Sequence, residues 1–506
     1  MSESTVNNKR IAKNTIYLYL RMLFVLLVGL YTVRAILDIL GEVDYGLYNV
    51  VGGVVTMFAF MNRTLSTSSQ RYFSIELARG DKDRLCRWFS LNITTFLMLG
   101  LVITFFLETV GLWFLNTQMT IPSERMMAAN VVYQLSIISF LFHIVSVPYL
   151  GLIIAHEKMH VFAYVGILEA IGRLVIVFIL TMLTYDKLII YGILILLLSL
   201  SVSMSYMIYC WRHYPESSYR WYWNTAEAKE LLGFSGWHFL GTFSTSFRGQ
   251  GINILLNMFF NPAVNAARAV AFQVNSHIMQ LSTNFFTAIK PQIYKSYAKG
   301  EFDELFKLIM RGTIISTFLI SIIAFPFYSC TSYLLGLWLK EVPAYTVIFT
   351  KLALINGLID CVNGPLIATS LATGRIRNFM IIVSLVIVAN VPISYIALLF
   401  GADPAVTMII SIIISYINVL IMAYLLNVMI GFPWVSFVIL IFKITFISLL
   451  MLMGIQLFSY NYTSLGSICV LVIIQEIILV FLYGMVLSPA DRQYMVHILK
   501  HKIRNK

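Results

Sequence analysis

Polar side chains recur at helical spacing within apolar stretches of this sequence. One such stripe, in residues 264–288, consists of Asn265, Gln273, His277, Gln280 and Asn284, with Arg268 and Asn275 beside it. Intervals of eight, four, three and four residues keep the stripe on one face of an α-helix. Polar groups on a membrane helix normally face the bundle interior or a wet cavity. Hydrogen bonding between helices is the alternative, but one or two polar residues usually suffice for that. The stripe therefore predicts a cavity wall.

Arginines inside apolar stretches form a second set of candidates. Arg248 lies well within its stretch, and the others are Arg21, Arg34, Arg63 and Arg71. A guanidinium group suits bidentate capture of phosphate. The four arginines other than Arg248 could instead extend to the membrane surface. Together with Arg268, the set predicts a cationic cavity, and a phosphorylated or pyrophosphorylated lipid is the hypothesis for its substrate.

Acidic residues in apolar stretches have two interpretations. Asp360 could be a proton- or sodium-linked carboxylate, and Glu169 is a weaker candidate for ion coupling. Glu169 and Arg173 are four positions apart, which favours a structural ion pair over a proton relay. The five cysteines are scattered singly, without a CxxC pair or a His-Cys cluster. We therefore expect no metal site, no cofactor and no disulfide framework.

The composition indicates a polytopic membrane protein. Of the 506 residues, 59% are hydrophobic and only 11% are charged, whereas a soluble domain has about 25% charged residues. The net charge of +12 is spread over short loops, and no loop is long enough to form a nucleic-acid-binding domain. Because no soluble domain or catalytic loop is evident either, we expect a protein that is not an enzyme.

Apolar runs of about 20 residues are long enough to span a membrane, and they predict an all-α fold with about fourteen transmembrane helices. The runs lie near 15–38, 44–66, 89–115, 127–154, 162–184, 187–211, 231–258, 264–288, 310–338, 345–371, 377–399, 404–428, 434–458 and 463–487. Lys and Arg concentrate in alternate loops and in the tail, so both termini are predicted to be cytoplasmic.

An internal repeat divides the chain. ARGDKDRL at 78–85 matches AKGEFDEL at 298–305, and Gly-Leu-Trp recurs at 111–113 and 336–338. Such matches at nearly constant offset indicate a duplication, with two six-helix lobes related by a parallel repeat and two extra C-terminal helices. The predicted parts are an N-lobe of helices one to six (1–215), an interfacial cytoplasmic linker (216–230), a C-lobe of helices seven to twelve (231–430), and helices thirteen and fourteen with a basic cytoplasmic tail (431–506).

Several runs resemble a known family. They are LGEVDYGLYNVVGGV (40–54), LLGFSGW (231–237), NPAVNAARAVAFQVN (261–275) and GPLIATSLATGRI (364–376). These runs, with the helix count and the duplication, resemble the bacterial lipopolysaccharide and capsule flippases (Wzx-like) of the multidrug/oligosaccharidyl-lipid/polysaccharide (MOP) superfamily. The resemblance covers essentially the whole chain, but its motifs do not name a substrate.

The resemblance implies a flippase of the bacterial inner membrane. Such a protein moves an undecaprenyl-pyrophosphate-linked oligosaccharide from the cytoplasmic to the periplasmic leaflet by alternating access, for lipopolysaccharide, O-antigen, capsule or exopolysaccharide biosynthesis. Arg248 and Arg268 are then the first candidates for the pyrophosphate, and the polar stripe would bind the glycan. The expected partners are this substrate, membrane lipids, a coupling proton or sodium ion, and polysaccharide polymerase machinery.

Two alternatives remain open at the level of sequence. An ion-coupled multidrug or small-molecule exporter of the same superfamily would need an acidic cavity for cationic substrates, whereas bases outnumber acids within these spans. A membrane polysaccharide polymerase or ligase would need a sizeable periplasmic loop, whereas every predicted outer loop is short.

Overall fold

The computed structural model describes residues 3–56, 59–117, 121–183, 185–260, 262–339, 342–457 and 465–486. These residues are almost entirely α-helical, and no strand occurs among them, which confirms the all-α class. The helices are α1 (Glu3–Thr56), α2 (Ala59–Arg79), α3 (Lys82–Phe106), α4 (Leu112–Thr117), α5 (Met126–Ala155), α6 (Met159–Met182), α7 (Lys187–His213), α8 (Thr225–Phe259), α9 (Pro262–Lys299), α10 (Phe302–Ser329), α11 (Thr331–Trp338), α12 (Thr346–Asp360), α13 (Asn363–Thr373), α14 (Arg377–Val388), α15 (Asn390–Leu399), α16 (Val406–Ile430), α17 (Trp434–Leu457) and α18 (Leu465–Val486).

Ten segments of the described chain are long and apolar enough to cross a membrane, so the protein is a multi-pass membrane protein. The helix that carries the predicted polar stripe, α9, and two helices that carry candidate arginines, α2 and α8, are not among the ten. Their polar side chains lower the mean hydropathy of helices that are otherwise long enough. The total of fourteen spans stays a prediction.

Glycines with positive φ separate successive helical segments. Gly41 (φ 77°, ψ 169°) interrupts α1 between the first two predicted spans. Gly80 (φ 76°) separates α2 from α3, and Gly300 (φ 74°) separates α9 from α10. Glycine adopts these angles readily because it has no Cβ atom. The two copies of the repeated sequence thus form the same local structure, a left-handed glycine between two helices.

The chain forms two compact units. The first unit comprises Met1–Phe239 and Thr287–Gly300, and the second comprises Leu240–Phe286 and Glu301–Lys506. The boundary between Phe239 and Leu240 lies within α8, and the boundary between Phe286 and Thr287 lies within α9. Both helices therefore contribute to both units. The predicted lobes were instead divided at the linker 216–230, and their relation by a parallel repeat stays a prediction.

Each unit has its own helix packing. In the first, α1 packs against α6, and α5 packs against α2 and α7. In the second, α12 packs against α10 and α16, and α18 packs against α10. A buried cluster in the second unit, which includes Leu256, Ala267 and Phe349, joins α8, α9 and α12. This cluster fixes the three helices that carry most of the candidate site.

The predicted linker lies against the first unit. The backbone N–H of Arg220 donates to Ser90 Oγ (3.2 Å), and the hydroxyls of Tyr219 and Thr94 are 3.1 Å apart. Trp221 is largely exposed. An aromatic side chain of this kind suits the membrane–water interface, and the interfacial position of the linker stays a prediction.

Candidate substrate site

The second unit brings together a partly buried arginine and a partly buried acid, whose side chains are 18% and 22% exposed. Arg248, near the middle of α8, and Asp360, the last residue of α12, both line a cavity of about 210 Å³. The Arg248 Nη2 atom lies 3.8 Å from Asp360 Oδ2. A donor–acceptor distance of 3.8 Å is too long for a hydrogen bond. The two groups therefore form an ion pair without a direct hydrogen bond between them.

Asp360 is held in place by other donors. Its Oδ2 atom accepts from Asn356 Nδ2 (2.7 Å), and its Oδ1 atom accepts from Ser415 Oγ (2.9 Å) and, more weakly, from Asn363 Nδ2 (3.4 Å). These bonds satisfy the carboxylate, as burial of a charge requires. Among the described residues Arg248 forms no hydrogen bond, so its N–H donors are open to a ligand in the cavity.

The polar stripe of α9 is exposed on the second unit. Gln273, His277 and Gln280 are all exposed, while Val274 and Ile278 on the opposite side are buried. The exposed polar groups lie near the middle of a long helix, where a lipid-facing surface would be apolar. The predicted cavity wall is consistent with this pattern and stays a prediction.

The remaining stripe residues are placed differently. Asn275 is half-buried and packs against Gly357 so closely that a Cβ atom there would lie 2.4 Å from Asn275 Oδ1. Asn284 is buried. The side chain of Asn265 lies outside the described residues. Of the predicted stripe, the described side chains that are exposed are therefore those of Gln273, His277 and Gln280, and their part in substrate binding stays a prediction.

Arg268 joins α9 to α8. Its side chain is only 3% exposed, lies 4.2 Å from the centroid of the Phe272 ring, and donates to the Gly249 carbonyl (3.3 Å) and to Asn253 Oδ1. Two acceptors on α8 and a ring contact on α9 make this side chain part of the packing between these two helices. A direct contact with substrate would require Arg268 to leave these partners.

The candidate arginines of the first unit have distinct environments. Arg21 lies 4.1 Å above the Phe162 ring, and its buried Nε has no partner among the described residues. Arg71 is buried, with its guanidinium carbon 4.8 Å from the ring centroids of both Tyr72 and Phe234. Arg34 is exposed. The side chain of Arg63 lies outside the described residues.

Glu169 and Arg173 pair with each other. Arg173 Nη2 donates to Glu169 Oε1 at 2.8 Å, which is the ion pair that their four-residue spacing suggests. A carboxylate bound in this way is satisfied within its own helix, α6. This geometry fits a structural pair better than a relay.

Sequence reasoning missed two clusters. It did not pair Arg248 with Asp360, because no periodicity links α8 to α12. It also passed over Glu157, a buried carboxylate in the α5–α6 turn that binds Lys295 (2.5 Å) and Gln292 (2.6 Å). The only sequence signal for Glu157 was an acid in a basic turn, beside His156 and Lys158.

Known structures share this architecture. A MATE structure in the bent conformation superposes with a TM-score of 0.70 at 12% identity, over 84% of this chain and 96% of that one. An outward-facing multidrug resistance MATE family transporter of the MOP superfamily gives 0.68 at 14% identity, over 82% and 94%. A MOP superfamily transporter from Pyrococcus furiosus, described as having a binding pocket of reverse polarity, gives 0.66 at 13% identity, over 83% and 96%. The fold is therefore that of the MOP superfamily.

The family follows from the sequence match. Residues 11–329 match the model of the polysaccharide biosynthesis protein family, and the chain belongs to that family. No curated protein matches the sequence. The resemblance noted from the sequence motifs is thus confirmed at the level of family and fold.

Proposed function

We propose that this protein is a flippase that moves an undecaprenyl-pyrophosphate-linked oligosaccharide from the cytoplasmic to the periplasmic leaflet of a bacterial inner membrane. The two units would alternate access to a polar path, as in other repeat transporters. The product would serve lipopolysaccharide, O-antigen, capsule or exopolysaccharide assembly, and both termini would be cytoplasmic. A proton or sodium ion acting at Asp360, or the membrane potential, would drive the cycle.

Two observations in the second unit carry this proposal, the exposed polar stripe of α9 and a cavity that contains Arg248. Amide and imidazole groups such as those of Gln273, His277 and Gln280 form hydrogen bonds of the kind that sugar hydroxyls need. Arg248 supplies the cation for a phosphate group. A polar surface with an arginine beside it fits a glycan joined to a pyrophosphate better than an apolar drug.

The competing function, export of cationic small molecules, has one supporting feature. Asp360 is an acid in the cavity of the second unit, as a site for a cation would need. Its oxygens are already bound by Asn356 and Ser415, however, whereas Arg248 forms no hydrogen bond among the described residues. The site therefore offers free donors to an anion rather than free acceptors to a cation. The anionic substrate remains the better fit to this site.

The test is accumulation of lipid-linked oligosaccharide in a strain that lacks the gene. The strain is complemented with wild type, with Arg248→Gln, or with Lys307→Gln as the control. Lys307 is an exposed base at the start of α10, so its loss changes the net charge equally without touching the site. The amount of each variant in the membrane is matched by immunoblot.

We expect intermediates to accumulate without the gene and to be cleared by wild type and by Lys307→Gln. Arg248→Gln should clear them about tenfold or more slowly, because a charge-assisted hydrogen bond to the substrate is lost. If no intermediate accumulates and sensitivity to cationic drugs rises instead, the protein is an exporter and the proposal is wrong.

A further inference from the structure

The cavity around Arg248 contains acceptors that nothing in the described chain satisfies. The Oδ1 atoms of Asn363 and Asn418 are buried and have no donor among the described residues. Both asparagines line the cavity, and Asn418 is only 3% exposed. A buried polar atom without a partner is costly, so two of them at one cavity indicate a ligand that donates hydrogen bonds.

The donors of the cavity are equally open. Arg248 has no hydrogen bond among the described residues, and its nearest charge is the Asp360 carboxylate at 3.8 Å. The carboxylate is already bound by Asn356 and Ser415. An arriving phosphate oxygen can therefore bind the guanidinium while Asp360 stays with its own donors.

The size of the cavity limits what enters it. A pocket for a drug-sized ligand has roughly 300–1,000 Å³, whereas this cavity has about 210 Å³. That volume is too small for an oligosaccharide but suits one sugar ring. Ile387 and Ile414 form an apolar part of its wall, against which the C–H groups of a sugar ring can pack.

We propose that this cavity is a subsite for the sugar that carries the pyrophosphate, with Asn363 and Asn418 as its specificity-determining residues. Their amide oxygens accept hydrogen bonds from hydroxyls of that sugar, and Arg248 binds the adjoining phosphate. Asp360 neutralises Arg248 while the subsite is empty and repels phosphate groups that carry additional charge. The inference rests on the proposed function, because it assigns one part of that substrate to this cavity.

The subsite predicts a separation between sugar binding and phosphate binding. The probes are two short-chain isoprenyl pyrophosphates, one bearing a single hexose and one bearing none. Their affinities are measured by calorimetry on the purified full-length protein in lipid nanodiscs. Hexose 1-phosphate is a third probe, which distinguishes a lipid-linked sugar phosphate from a free one.

Asn418→Leu should weaken binding of the hexose-bearing probe by about tenfold and leave binding of the sugar-free probe unchanged. Asn363→Leu also removes a weak donor from Asp360, so it should weaken binding of the hexose-bearing probe more than binding of the sugar-free probe. Arg248→Gln should weaken the binding of both pyrophosphate probes. Asp360→Asn should increase the affinity for the sugar-free probe by about threefold or more, because a like charge beside the anion is removed. Lys307→Gln is the control and should change neither affinity.

Two results would overturn the inference. One is an equal loss of affinity for both pyrophosphate probes in the asparagine variants. The other is no loss of affinity in any variant whose melting temperature equals that of wild type. Hexose 1-phosphate binding as tightly as the lipid-linked probe would show a site for a free sugar phosphate instead. The cellular assay distinguishes failure of the subsite from failure of the proposed function. If wild type clears the intermediate but the asparagine variants bind both probes as wild type does, the subsite is wrong and the flippase stands.

Discussion

Glu157 is a buried carboxylate of the first unit with several bonded partners. Its side chain is 1% exposed and binds Lys295, Gln292 and Arg10, and its carbonyl accepts from Asn14 Nδ2 at 3.0 Å. It also adopts φ 61° at the C-terminal end of α5, a conformation that suits glycine. A strained, buried carboxylate with donors from α1 and α9 holds the ends of these helices at the α5–α6 turn.

We predict that Glu157→Gln lowers the stability of the protein by on the order of 3 kcal/mol, because Lys295 would lose its buried partner. Glu157→Gly should also destabilise, although it relieves the left-handed conformation. The measurement is the midpoint of thermal unfolding in detergent. Glu304→Gln, which removes an exposed partner of Lys307, should change stability by less than about 0.5 kcal/mol. A rise in stability with Glu157→Gly would mean that the backbone, and not the carboxylate, matters there.

At the scale of single helices, the break in α1 depends on one glycine. Gly41 has φ 77° and ψ 169°, a region that side chains with a Cβ atom avoid. No atom lies within 4 Å of a Cβ built there, so backbone conformation alone disfavours a substitution. The glycine lets one continuous segment, Glu3–Thr56, serve as two differently directed helices.

Gly41→Ala is therefore expected to destabilise the protein by about 1–3 kcal/mol. Gly29→Ala is the matched control, since Gly29 is helical and equally free of neighbours within 4 Å. Alanine favours a helix over glycine, so this control should be neutral or slightly stabilising. The midpoint of thermal unfolding distinguishes them, and equal effects of the two substitutions would contradict the role given to the break.

The linker is attached to the first unit through a histidine that follows α5. His156 Nε2 lies 2.8 Å from Glu216 Oε1, and the His156 ring stacks on Tyr214 with centroids 4.0 Å apart. Burial lowers the pKa of His156 below its ordinary 6.5, and nearby Lys295 and Lys158 lower it further, while Glu216 opposes the shift. The docked linker therefore favours neutral His156.

We predict that the linker docks less stably in acid. With the linker undocked, His156 binds a proton near its ordinary pKa of 6.5, but with the linker docked it does so only at the lowered pKa. The stabilisation is thus complete above pH 6.5 and is lost as the pH falls through the docked pKa. Limited proteolysis after Arg220, compared between pH 7.5 and 5.5, measures it. His156→Gln should remove the pH dependence, and the exposed His213→Gln should keep it; equal pH dependence in both would contradict the prediction.

At the scale of the whole molecule, apolar length predicted most of the fold, because burying a backbone in lipid leaves helices as the available structure. The repeated Ala-base-Gly-acid sequence, which indicated a duplication, coincides in the structure with matching helix breaks at Gly80 and Gly300. Contacts between distant helices were not predictable. Arg248 meets Asp360, and Glu157 meets Lys295 at a separation of 138 residues, only through tertiary packing. Single-sequence periodicity reports which face of a helix is polar, but not which helix that face meets.

Helix length gives a test of the topology. α3 has 25 residues and α5 has 30, so each is about 38 Å or longer and exceeds the roughly 30 Å hydrocarbon thickness. The positive-inside pattern places Lys82, at the start of α3, in the cytoplasm. The chain then crosses the membrane once, so the start of α5 lies on the outer side. The duplication places Asp303, at the start of α10, on the same side as Lys82.

We predict that a membrane-impermeant maleimide labels intact cells at Glu124→Cys but not at Lys82→Cys or Asp303→Cys, all in a chain whose five cysteines are replaced. The three positions are exposed, so accessibility depends only on the side of the membrane. Inverted vesicles are the control and should give the opposite pattern. Labelling of Lys82→Cys and Asp303→Cys from different sides would contradict the parallel repeat, since equivalent helices of a parallel duplication begin on the same side.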